Sequence, residues 1–230
     1  MSKKIFVLLR KILASGMEKN SINKHILFVV SGPSGSGKGT LMDYATENFK
    51  SIQHIPTYTT RNPRPSEIKG KDYNYLTQKD FMTLVGNGGI FEYTKTYGDY
   101  MYGSPLSLIE NQYNKNLIVE LDYKGMFRVK SVSQHRVVSI FVLPPDIKTL
   151  KTRITKRFEE ENLTNRLKVI SEQLQFAWAY DYVIVNNDYA DYLSDIQTIL
   201  KAEILRTRGV DSLLDMKHSS DPTLNQTTES

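Results

Sequence analysis

The chain has 230 residues, with 30 Lys and Arg against 25 Asp and Glu for a net charge of +5, four histidines and no cysteine. That length suits one α/β domain with small insertions and excludes a large multidomain machine. The missing thiols exclude disulfides and thiolate metal sites and fit a reducing cytoplasm, the four histidines lack metal-ligand spacing, and no Lys/Arg block of the kind that binds nucleic acid is present.

Residues 1–23 read as a basic amphipathic extension, with KKIFVLLRKIL at 3–13. Its apolar run at 5–9 is too short to cross a bilayer, so no stable membrane insertion is expected. The simplest reading is a dispensable extension, or a start codon upstream of Met17. HILFVV at 25–30 is continuously apolar after His25, as a strand buried on both faces of a parallel sheet requires. A glycine-rich turn follows, and GTLMDYATENF at 39–49 predicts a helix directly behind it. The stretch 57–115 is rich in Tyr, Thr, Gly and Arg with short alternating segments, and reads as a small mixed α/β insertion. Strands are predicted at 116–122, 137–145 and 181–188, and helices at 146–158, 164–179 and 189–206. Trp178, beside Phe176 and Tyr180, is expected in the core. Residues 207–230 are polar and are expected to be disordered. Nothing in this pattern points to an oligomeric state.

The sharpest signal is GPSGSGKGT at 32–40, with Gly32, four residues, then Gly37 and Lys38. Between a buried strand and a helix, such a loop turns backbone N–H groups and a helix N-terminus toward a phosphate chain. Lys38 is expected to neutralise the terminal phosphates of a nucleoside triphosphate, and a hydroxyl to hold Mg²⁺. The hydroxyl comes one place late, because Gly39 precedes Thr40. A Gly-Lys-Gly-Thr ending is similar to that of nucleoside monophosphate kinases, which assigns Thr40 the magnesium role. The fold is therefore expected to be a P-loop NTPase-type parallel sheet flanked by helices.

A second constellation opens at TYTTRNPR, 57–64. Arg61 and Arg64, three residues apart around Pro63, offer two guanidinium forks suited to a terminal phosphate monoester. Tyr73 in GKDYNY and Tyr102 in YMYGS add hydroxyl donors.

In these residues the chain resembles the guanylate kinase family over about 25–206. The resemblance is carried by SGPSGSGKGTL at 31–41, TTRNPRPSEIKGKDYNY at 59–75, FEY at 91–93, YGS at 102–104, LDYKG at 121–125 and DYVIVNND at 181–188. It implies a guanylate kinase-like domain at 24–206, with a core of 24–56 and 116–206, a GMP-binding insertion at 57–115 and a helical lid at about 151–168. It implies ATP and GMP as substrates and Mg²⁺ with the ATP. Gly32, Pro33, Ser34, Gly35, Ser36, Gly37, Lys38, Gly39 and Thr40 become the ATP phosphate cradle, with Asn186 near the adenine. Thr57, Glu92 and Ser104 become contacts to guanine, Glu92 facing its N1 and N2 hydrogens. Arg61, Arg64, Tyr73 and Tyr102 become the GMP phosphate clamp, and Asp122 a carboxylate beside the acceptor, with Glu120 on the same face. Arg153 fits the first of the lid positions, while Arg157 and Arg166 are the expected catalytic arginines over the transferring phosphate, alongside Lys38 and Arg61.

Three departures stand out. The segment KRFEEENLTNR is about two residues shorter than the family pattern and lacks its glycine, YGDYMYGS carries one extra residue that leaves Tyr100 and Tyr102 as rivals for the phosphate, and Lys124 replaces a glutamine. Two other readings remain: a guanylate kinase-like module that binds phosphopeptides without catalysis, and a kinase of this fold with another phosphorylated acceptor. The intact Gly37, Lys38 and Thr40 speak against the first, and Glu92 with Thr57 against the second.

Overall fold

The computed structural model describes residues 25–65, 67–95, 99–110, 113–155 and 163–218, without the side chains at 154, 163–167 and 207–218. The first strand, β1 (Ile26–Ser31), is buried along its whole length, as its unbroken apolar run predicts. It lies at the centre of a five-stranded parallel sheet with β2 (Ile52–His54), β7 (Asn116–Glu120), β8 (Arg136–Leu143) and β9 (Tyr182–Val185), in the order β2-β7-β1-β8-β9. The period-2 alternation of β1 then decides the two layers. Ile26, Phe28 and Val30 pack on one side with Leu41 and Ala45 of α1 (Lys38–Asn48) and Ile196 and Leu200 of α6 (Tyr189–His218). Leu27 and Val29 pack on the other with Met126 and Val129 of α3 (Tyr123–Val132). The strands end together, so the loops that follow β1 and β7 meet above the sheet, where open α/β sheets bind ligands. Ser31 Oγ donates to Leu121 O at 2.7 Å and ties these two ends together.

The insertion forms a second sheet in the order β4-β3-β6-β5, from β3 (Thr57–Thr59), β4 (Tyr73–Tyr75), β5 (Ile90–Lys95) and β6 (Met101–Pro105). Helix α2 (Gln78–Gly86), capped by the Thr77 side chain, covers it through Phe81, which packs with Ile90 and Met101. Helices α4 (Ile147–Thr155) and α5 (Leu163–Leu174) follow β8.

Three expectations need correction. The last helix does not stop at 206 but runs to His218, so 207–218 is helical and not disordered. The helix expected over 164–179 ends at Leu174 and the chain tightens into a 3₁₀ turn at Ala177–Ala179. That change of pitch turns Trp178 outward, leaving it 80% exposed, while Phe176 stacks on Tyr123 at 4.2 Å. The extension at 1–23 and the tail from 219 lie outside the described residues. Among the described residues, no helix is long and apolar enough to cross a membrane.

Candidate active site

The phosphate loop leaves β1 and enters α1 through Gly37, whose φ of 111° places it in the left-handed region and which offers no side-chain cap to the helix. The first N–H groups of α1 are thus left for a ligand. Gly32, at φ 141°, lies so close to β8 that a Cβ would sit 2.3 Å from Val142 O. Lys38 arches back across the loop, its Nζ donating to Gly32 O at 2.8 Å and Pro33 O at 2.9 Å, with the Glu120 carboxylate 3.5 Å away. The loop's outward carbonyls are held by side chains. Arg153 Nη1 donates to Gly35 O at 3.3 Å, Asn186 Nδ2 to Ser36 O at 2.8 Å and Tyr192 Oη to Gly37 O at 3.0 Å. Asn186 therefore engages the loop's backbone, and Pro33 and Ser36 are buried within the loop.

Across the cleft stand the two arginines, and their arrangement depends on Glu67, whose side chain is only 6% exposed. Its Oε1 accepts from Arg61 Nη2 at 2.9 Å and Arg64 Nη1 at 3.1 Å, and its Oε2 from the Arg64 backbone N–H and Tyr75 Oη, both at 2.8 Å. Burial alone raises this carboxyl, but the hydrogen bonds from Arg61, the Arg64 backbone and Tyr75 outweigh it and hold it at about 2. The Tyr75 hydroxyl, half-buried against the same charge, is pushed up to about 12. Arg61 Nε donates to Tyr102 Oη at 3.2 Å, and its guanidinium lies 5.5 Å from the Tyr73 ring centre. Of the rival tyrosines, Tyr102 bonds Arg61, and both Tyr100, 41% exposed, and Tyr102 line the cleft.

Glu92 and Ser104 face each other on β5 and β6, and both are buried. Ser104 Oγ donates to Glu92 Oε1 at 2.6 Å, while Oε2 is sealed from solvent with no hydrogen-bond partner and Arg128 Nη1 3.7 Å away. Burial raises the Glu92 pKa, opposed by Ser104 and Arg128 and assisted by the nearby Asp122. Asp122 itself caps α3, its Oδ1 accepting from Gly125 N at 2.7 Å.

One cleft of about 820 Å³ unites these parts. Gly32, Ser34, Gly35, Gly37, Lys38, Gly39 and Thr40 line it from the loop, Thr57, Arg61, Arg64, Tyr73, Glu92, Tyr102 and Ser104 from the insertion, and Asp122 from the turn after β7. Arg157 lies outside the described residues, and Arg166 belongs to α5 without a described side chain. Sequence reasoning passed over Glu67, Arg128 and Tyr192. For Glu67 a signal existed: one acid three residues after Arg64 in a basic turn.

A phosphate loop at the carboxyl end of a parallel sheet, opposed by a two-arginine clamp and a buried carboxylate, defines a P-loop phosphotransferase that seats two phosphorylated ligands. The sequence profile of guanylate kinase matches residues 24–203. The guanylate kinase of Clostridium perfringens is 38% identical over 200 residues, covering 85% of this chain and 92% of that protein. That of Wolbachia sp. subsp. Brugia malayi is 33% identical, covering 82% and 98%. The crystal structure of guanylate kinase from Anaplasma phagocytophilum superposes with a TM-score of 0.66 at 30% identity, covering 86% of this chain and 97% of that one. The chain belongs to the guanylate kinase family.

Proposed function

We propose that this protein transfers the γ-phosphoryl group of ATP to GMP. The bond from the γ-phosphorus to the β–γ bridging oxygen breaks, a GMP phosphate oxygen bonds to that phosphorus, and ADP and GDP leave. The observation that carries this reading is the shared cleft, whose lining brings Lys38 of the loop together with Arg61 and Arg64 of the insertion. Two polyanions held phosphate to phosphate need alignment and charge neutralisation more than a strong base. Lys38, Gly39 and Thr40 take the ATP phosphates, and Arg61, Arg64, Tyr73 and Tyr102 the GMP phosphate. Glu92 takes the guanine edge, because its Oε2 lacks a hydrogen-bond partner and guanine presents adjacent N1 and N2 donors where adenine has an acceptor at N1 and only its N6 amine as donor. Thr57 and Ser104 complete that pocket.

Oxygen donors suit Mg²⁺: the Thr40 hydroxyl and the Glu120 and Asp122 carboxylates line the same cleft. When bound, the ion would supply charge neutralisation at the β- and γ-phosphates. Family resemblance adds Arg157 and Arg166 as cations over the transferring group, and the cysteine-free composition supports a cytoplasmic setting.

The test is a coupled assay with MgATP and GMP, dGMP, AMP, CMP or dTMP. Turnover confined to guanine nucleotides is expected. Comparable use of AMP would overturn the guanine assignment, and GMP binding without product would overturn the kinase assignment.

A further inference from the structure

Tyr192 heads the fully buried side chains of the described residues by volume. It sits in the first turns of α6, packed into the core between that helix and α1, in surroundings that a phenylalanine would suit. A hydroxyl buried there is costly unless it is bonded. Its bond is to Gly37 O, at 3.0 Å and 155 residues distant. That carbonyl already accepts the first helical hydrogen bond, from Leu41 N at 3.2 Å, so Tyr192 is not needed to satisfy it. The second bond contributes orientation. In a trans peptide the N–H points opposite to the C=O, so fixing the Gly37 carbonyl against α6 turns the Lys38 N–H the other way. Asn186 does the same one peptide earlier through Ser36 O. The fit is close, since a Cβ on Gly37 would lie 2.1 Å from Asn186 Nδ2 and 3.5 Å from the Tyr192 ring. Burial also raises the tyrosine pKa, so the hydroxyl keeps the proton it donates.

We infer that Tyr192 is a positioning residue for the donor nucleotide: its hydroxyl sets the Gly37–Lys38 peptide so that the N–H faces the ATP phosphates, without touching ATP. The inference rests on residues 32–40 being the ATP cradle.

Tyr192→Phe tests it. The ring stays, and Gly37 O keeps its bond from Leu41, so the fold is not at risk. KM for ATP is expected to rise about five-fold, the ratio that one neutral hydrogen bond supports, while KM for GMP changes by less than about two-fold. Amide exchange across 36–40 in the nucleotide-free protein is expected to quicken. An unchanged KM for ATP, or equal rises for both substrates with a lower melting temperature, overturns the inference, the latter marking a purely structural role. Lys38→Ala, run in parallel, separates the premises: if it leaves ATP affinity intact, the cradle reading itself falls. If it abolishes ATP affinity while Tyr192→Phe changes nothing, only the positioning role falls.

Discussion

Ser104 Oγ donates to one oxygen of Glu92 at 2.6 Å and leaves the other, buried from solvent, without a hydrogen-bond partner. A half-satisfied buried carboxylate is costly to the free protein and valuable to a ligand that brings donors. Glu92→Gln is therefore expected to weaken GMP binding about 10- to 100-fold, the range for losing a charge-assisted hydrogen bond, with KM for ATP unchanged. The same substitution should raise the melting temperature of the ligand-free protein at neutral pH, because the buried charge is gone. Calorimetry with each nucleotide and a thermal melt check both halves.

The raised Glu92 pKa also gives GMP recognition a pH dependence in addition to the phosphate titration that both nucleotides share. When Glu92 takes up a proton it can present a donor to the donor edge of guanine. KM for GMP should accordingly climb as pH falls, beginning above the range of an ordinary carboxylate at about 4.3. The stability linkage has the opposite sign. A carboxyl whose folded pKa exceeds its unfolded one stabilises the fold at acid pH, and that contribution is lost as pH rises through the raised value. Substrate-specific KM profiles between about pH 5 and 8 would expose the difference, and parallel GMP and ATP profiles would count against it.

Glu67 carries the reverse linkage. Held at about 2 by Arg61, Arg64 and Tyr75, it stabilises the fold above its unfolded pKa and loses that contribution as pH falls through about 2. Glu67→Ala leaves two guanidinium groups without the carboxylate that aligns them. It should cost about 3 kcal/mol in urea unfolding at pH 7 and weaken GMP binding. The stability gap to the parent protein should close once the acid is protonated.

How much of this was legible in the sequence depended on distance along the chain. β1 and its loop are readable because one continuous apolar run and one local spacing define them. Helix α3 escaped notice: it has only ten residues and carries Gly125 in its first turn, so only the Asp122 cap and the Met126–Val129 spacing betray it. The end of α6 was misplaced because the apolar stripe fades after Ile204 while the backbone continues helical through Gly209, against a penalty of about 1 kcal/mol for glycine. Trp178 would face the core only on a continuous regular helix, and the 3₁₀ turn rotates it away from that face. The guanidinium clamp was visible as a motif, but Glu67 has no periodicity to reveal it. Tyr192 meets Gly37 only once 155 intervening residues have folded.

Tyr100 and Tyr102, on either side of Met101, both line the cleft. Tyr102 accepts from Arg61 Nε at 3.2 Å and packs edge-on against Tyr73 at 5.9 Å, and Tyr100 is the more exposed of the two. Tyr102→Phe should raise KM for GMP several-fold, as loss of one hydrogen bond to a charged group implies, and Tyr100→Phe should change it by less than about two-fold. The reverse pattern would mean that the clamp rearranges once GMP is bound.

Lys38 poses the most demanding test. Its ammonium rests on the carbonyls of Gly32 and Pro33 with Glu120 at 3.5 Å, within the cleft where triphosphate oxygens would take over as partners. In a reaction driven by positioning and charge stabilisation, removing that cation removes a group that follows the transferring phosphoryl. Lys38→Ala should lower kcat by about a thousand-fold, the scale seen when a preorganised charge-stabilising group is lost. GMP binding should persist within about two-fold because the hydrogen bonds that Glu67 accepts from Arg61 and Arg64 do not involve Lys38. Single-turnover kinetics with saturating MgATP, paired with direct GMP titration, distinguish the two effects. A variant that loses GMP affinity and phosphoryl transfer together would show that the two walls of the cleft are not independent.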